Sequence, residues 1–266
     1  MKGKHNLVPA LLLGLALTAG LACQGGNSAA DAQRQAAWSE LQELKGDLDA
    51  SRTRLAEALA QQTAEPAADE AAAEGEAAEA EAAAPVDTAA LEQEAQAKAD
   101  AFGQKLVAFI NADPMIEGQE PTPTQRAALD MYVEENLVTA REFIDKGGDY
   151  RQAIEIYQNA LSVDPGNPAL EQALAETEAS RYMTAERFAQ VAEGMSEEQV
   201  RAAVGQVNLR NVREYDEGAR VAWFYPREEG SEYAAGVFFE RQDDGGYTVY
   251  SSDFDAMTPE KTQQAQ

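Results

Sequence analysis

Residues 148–165, GDYRQAIEIYQNALSVDP, constrain the fold more than any other stretch, because they specify a helix, its start, its stop and its packing face at once. Asp149 supplies a carboxylate that can cap the first free backbone N–H groups of a helix. Ala153, Ile154, Ile156, Tyr157, Ala160, Leu161 and Val163 then recur at spacings of three and four, which lays one wide apolar stripe along it. Asp164-Pro165 ends it, since the residue before a proline is pushed out of the helical region. Upstream, Leu137, Ala140, Phe143 and Ile144 form a second stripe, so Gly147-Gly148 is expected to be the turn of an antiparallel helix pair. One such pair cannot bury a core alone, and neighbouring helices must cover its open sides.

These residues resemble a tetratricopeptide repeat (TPR), a helix pair of about 34 residues. Gly148, Asp149 and Tyr150 match the turn between its helices. Ala153, Tyr157 and Ala160 match the small-large-small seam of its second helix, and Pro165 matches the closing proline. In such repeats the first helix lines a concave binding face. The resemblance therefore implies a partner-binding lining of Glu135, Val138, Glu142, Asp145 and Lys146. Three of these five are acids, so the implied ligand is a basic, Lys- or Arg-bearing protein partner.

Around this pair the chain divides by composition. Residues 1–22 read as an export signal: Lys2 and Lys4, an apolar run from Leu7 to Leu17, then small residues before Cys23. A lone cysteine at that boundary resembles a bacterial lipobox. It implies lipid attached to Cys23 and, with Gln24 following, anchoring to the periplasmic face of the outer membrane. Gly20-Leu21-Ala22 also fits the rule of the ordinary signal peptidase, which would leave a soluble secreted product. Residues 23–37 are expected to be a flexible tether. In 38–61, Leu41, Leu48 and Leu55 fall seven apart, with Leu44 and Ala58 near the seam; this is an amphipathic helix weakened by Gly46 and Ser51. Self-association, packing on a partner and a solitary course along the tether all remain open for it. Residues 62–90 are expected to be a disordered linker, because positions 63–90 hold 14 alanines and eight acids with no base and offer no large side chain to bury.

The folded region is expected to begin at Leu91. A helix to Ile110 carries Phe102, Leu106 and Phe109 on one side. The next opens on Thr122-Pro123-Thr124-Gln125, a capping box with proline in the first turn. Asn167-Pro168 starts another, whose Leu170 and Leu174 would close the repeat. From Arg181 the pattern changes. A helix through Phe188 and Val191 is followed by Gly194-Met195-Ser196, a second short helix and Gly205. Then come segments of period two: 220–225 (RVAWFY), 233–240 (YAAGVFFE) and 247–251 (YTVYS). The fold class is α+β: a helical region over 91–180, two helices and an antiparallel sheet over 181–256, and a disordered tail over 257–266. GMSEEQVRAAVG, Trp223-Phe224-Tyr225 and Val237-Phe238-Phe239 resemble the SmpA/OmlA (BamE-like) family of small outer-membrane lipoprotein domains, which implies that helix-helix-sheet order and a place near outer-membrane assembly.

Charge and composition narrow the chemistry. The formal net charge is -26, which argues against nucleic acid or an anionic membrane surface as partner. His5 and Cys23 are the single histidine and the single cysteine, so nothing beyond residue 23 can supply a Ser-His-Asp or Cys-His centre or a His/Cys metal site. No phosphate loop or dinucleotide motif is present, and no cofactor is expected. Asp243-Asp244-Gly245-Gly246 lacks the ligand spacing of a calcium loop and reads as a hairpin turn. Trp223 and Tyr225 read as core. The function these observations favour is a lipid-anchored adaptor working by protein contact. A carboxylate-dependent polysaccharide hydrolase and a passive envelope spacer are the alternatives. A hydrolase would require a cleft with paired carboxylates.

Overall fold

The computed structural model describes residues 28–64, 87–116 and 119–257. Cys23, the export signal, most of the acidic linker and residues 258–266 lie outside them.

Five helices come first: α1 (Ser28–Ala64), α2 (Thr88–Ala112), α3 (Pro123–Gly147), α4 (Tyr150–Val163) and α5 (Pro168–Arg181). Each packs on the one before it in the chain. The α3 start is the expected capping box: Thr122 Oγ1 accepts from the Gln125 N–H, and Gln125 Oε1 accepts from the Thr122 N–H. At its other end Gly148 adopts φ 60° and ψ 26°, a left-handed position that glycine tolerates and that ends a helix. Asp149 then caps α4 through the Gln152 N–H. Tyr157 is 3% exposed between Ala153 and Ala160, both fully buried, and Leu170 of α5 closes the cluster. Two alanines let the helices approach, and the ring fills the space between them.

The first helix differs most from expectation. It begins at Ser28, inside the stretch read as tether, and it packs within the chain. Leu41 and Leu48 join Phe102, Leu106, Phe109 and Ala128 in one core, with Trp38 tilted against Phe109 at 5.6 Å. Leu41 and Leu48 of the heptad therefore face α2, and the folded body starts well before Leu91. Burial of a leucine contributes about 1.5–3 kcal/mol, more than the weak propensity of Gly46 costs. The described ends of the acidic segment, 62–64 and 88–90, are helical, and Asp87 caps α2 through the Ala90 N–H.

The remainder is the expected α+β arrangement. Two short helices, α6 (Ala185–Phe188) and α7 (Glu197–Val204), precede an antiparallel sheet of β1 (Val212–Tyr215), β2 (Arg220–Pro226), β3 (Tyr233–Arg241) and β4 (Tyr247–Met257), paired in chain order. The first helix is shorter than expected: it ends at Phe188, and Val191 follows in a turn, its N–H bonded to the Phe188 carbonyl. The Gly194-Met195-Ser196 turn is tied to β4, since the Gly194 N–H donates to the Val249 carbonyl and the Val249 N–H donates to that of Met195. One sheet face carries Val221, Trp223, Tyr225, Val237 and Phe239 into a core with Val200 and Val204. The period of two puts Ala222, Phe224 and Phe238 on the opposite face. No described helix covers that face; the residues clustered on it all come from strands.

Candidate functional site

The expected partner lining on α3 is divided by the structure. Glu135 is not available. Its carboxylate takes both guanidinium nitrogens of Arg52, at 2.9 and 2.8 Å, lies 3.8 Å from the Lys45 ammonium, and is only 12% exposed. This corrects its assignment as a partner contact, because α1 already occupies that side of α3. Lys45 also bonds Asp49 at 2.6 Å and Glu134 at 3.2 Å. Burial pulls its ammonium down, but these two carboxylates outweigh burial and hold it above the ordinary lysine value. Val138 is half-buried, while Glu142, Asp145 and Lys146 are exposed, with Glu142 and Lys146 paired at 3.8 Å. The five residues thus do not form one open groove.

A cleft forms instead where the helical stack meets the sheet unit. Its construction starts from Gly148. A Cβ there would stand 2.3 Å from the Val207 carbonyl oxygen, so only glycine lets the α3–α4 turn lie against residues 207–208. Asn208 Nδ2 donates to the Gly148 carbonyl at 3.2 Å, and the Met183 N–H donates to that of Pro226 at 2.8 Å. Gly205 plays the matching part opposite, because a Cβ there would stand 2.8 Å from the Tyr150 hydroxyl and its absence leaves the ring room. The Tyr225 hydroxyl donates to the Gly205 carbonyl at 3.1 Å. Burial pushes both phenols up, so their hydroxyls stay protonated throughout the physiological range.

The cleft has a volume of about 340 Å³, and Arg151, Arg181, Arg187 and Arg210 line it. Arg187 is held in place: its Nη2 donates to the carbonyls of Ser180 and Tyr182 at 3.0 and 2.9 Å. Arg181 stacks over Tyr182 at 4.9 Å and lies 3.9 Å from the exposed Glu229. Asp149 is the one carboxylate of the lining, and it is engaged in capping α4. This cleft does not supply the paired carboxylates that a hydrolase of the expected kind needs.

Sequence reasoning missed these arginines because they are scattered over 151–210 with no local spacing. One signal was legible: every basic residue between Lys146 and Lys261 is arginine, nine in all. Among the described residues no group of three or more His, Cys, Asp or Glu is placed to hold a metal ion, and no helix is long and apolar enough to cross a membrane. No protein-family model matches the chain, no curated protein matches it in sequence, and no solved structure matches it in fold.

Proposed function

We propose that this chain is a lipid-anchored adaptor of the bacterial envelope, tethered through Cys23 at the periplasmic face of the outer membrane and acting by protein contact. In this reading α3 and α4 are a single TPR-like repeat capped by α1, α2 and α5, and residues 181–256 are a BamE-like unit. The observation that carries it is the uncovered face of the sheet. Tyr215 and Tyr250 are 44% and 38% exposed there, Phe238 is half-buried beside Phe224, and Arg220 lies over the Tyr250 ring at 5.5 Å. Aromatic residues and arginine are the types enriched where proteins meet, because rigid rings contribute contact area at low entropic cost. The acids Glu142 and Asp145 remain exposed on α3 and would add attraction for a basic partner.

Two variants test this. Cys23→Ser should move the protein from the membrane to the soluble fraction, with loss of acyl label. Tyr215→Ala with Tyr250→Ala should abolish recovery of a partner that co-purifies with the wild type from detergent. Unchanged membrane partitioning contradicts the anchor, and unchanged partner recovery contradicts the sheet face as the contact.

A further inference from the structure

We infer that the arginine-lined cleft between the helical stack and the sheet unit is a binding site for a small oxyanion ligand, a carboxylate- or phosphate-bearing molecule. Acids outnumber bases by 47 to 21 in this chain, so an arginine near the surface ordinarily finds a carboxylate. Arg151, Arg187 and Arg210 form no ion pair among the described residues, and all three line this one cleft. The one carboxylate paired with Arg181 among the described residues is the exposed Glu229, at 3.9 Å. Four arginines therefore line a cleft whose one carboxylate, that of Asp149, is turned to the α4 cap. A bound dianion would supply the missing charge.

The chemistry of the groups fits that ligand class. Guanidinium forks match carboxylate and phosphate oxygens with two parallel hydrogen bonds, and they remain charged at any physiological pH. Arg187 is already oriented by two backbone carbonyls, so one donor set is preorganised and loses little entropy on binding. The cleft volume, about 340 Å³, lies at the small end of ligand sites and suits a compact anion. Its walls come from both units, the α3–α4 turn on one side and residues 206–211 on the other. Occupation would therefore hold the two units together. This inference is independent of the adaptor reading and stands if that reading fails.

Isothermal titration of the full chain in detergent tests it, with pyrophosphate, citrate and hexaglutamate as separate probes. Saturable one-to-one binding of pyrophosphate or citrate is expected, and the preferred probe distinguishes a phosphate from a carboxylate ligand. Arg151→Gln and Arg210→Gln should each weaken binding about tenfold, the loss of one charge-assisted contact. Neither guanidinium has an ion-pair partner to lose, so the thermal midpoint of each variant should match wild type. Arg220→Gln, on the far face of the sheet, should leave affinity within about twofold. Absence of saturable binding by both small anions, binding of hexaglutamate alone, or equal weakening by Arg220→Gln would each overturn the assignment.

Discussion

Replacing Gly148 by alanine strikes two independent features at one position. The backbone sits at φ 60°, where a Cβ costs about 1–2 kcal/mol in any protein. That Cβ would also lie 2.3 Å from the Val207 oxygen, 2.4 Å from the Val207 carbon and 2.6 Å from the Asn208 nitrogen. These are backbone atoms, so no side chain can swing aside and the sheet unit must move away from the α3–α4 turn. Overpacking of this kind costs about 1–3 kcal/mol, which brings the total to roughly 2–5 kcal/mol. The adjacent glycine is the control. Gly147 ends α3, and a Cβ there meets no atom within 4 Å, so Gly147→Ala should be neutral or gain about 0.5–1 kcal/mol from reduced backbone entropy. Urea unfolding of the two variants, followed by far-ultraviolet circular dichroism, measures the difference. If Gly148→Ala falls within about 0.5 kcal/mol of Gly147→Ala, the close approach of the turn to residues 207–208 is not a feature of the folded protein.

Other perturbations test the remaining contacts. Leu48→Ala should cost about 2–5 kcal/mol, because Leu48 is fully buried against α2; an unchanged unfolding midpoint would return α1 to the tether. Ser51 is fully buried with no partner for its hydroxyl among the described residues, so Ser51→Ala should raise stability by about 1 kcal/mol, and a loss would show that the hydroxyl is bonded. Tyr157→Ala should cost about 3–5 kcal/mol through lost burial and the cavity left, again read by urea unfolding. Burial raises the hydroxyls of Tyr132, Tyr150, Tyr157 and Tyr225 above the ordinary value of 10.0, and Lys45 stands above 10.5. A raised folded-state value means that the folded chain holds its proton longer than the unfolded chain, so the stability these groups contribute is fully present below pH about 10 and is lost as pH rises beyond it. Thermal midpoints should be level from neutral pH to about 9 and fall steeply above 10; a flat profile to higher pH would contradict the burial of these phenols.

Much of the architecture was legible because local signals and burial agree. Thr122, Asp149, Asn167 and Ser196 all cap the helices that their spacing announced, and three of the four strands begin where the aromatic alternation begins. The fourth, Val212–Tyr215, was missed, since its residues are half-buried or exposed at the sheet edge and show no apolar alternation. The partner of α1 was hidden for another reason. Leu41 and Leu48 marked the seam, but nothing local shows that the facing side chains are Phe102 and Leu106, across an acidic stretch that carries no apolar pattern. The same distance hid the ion pairs of Lys45 and Arg52 with Glu134 and Glu135, and so turned an internal contact into an expected binding residue. The cleft was invisible because its arginines come to line one space only after the Gly148 turn has docked on residues 207–208.

The most direct test of an adaptor that meets its partner through the open face of the sheet is site-specific photocrosslinking in intact cells. A photoreactive amino acid placed at Tyr215 or at Tyr250, both on that face, should give the same single high-mass adduct. The same probe at Glu155, exposed on α4, should give none. Identical adducts from all three positions, or adducts from Glu155 alone, would contradict the sheet face as the surface through which this protein works.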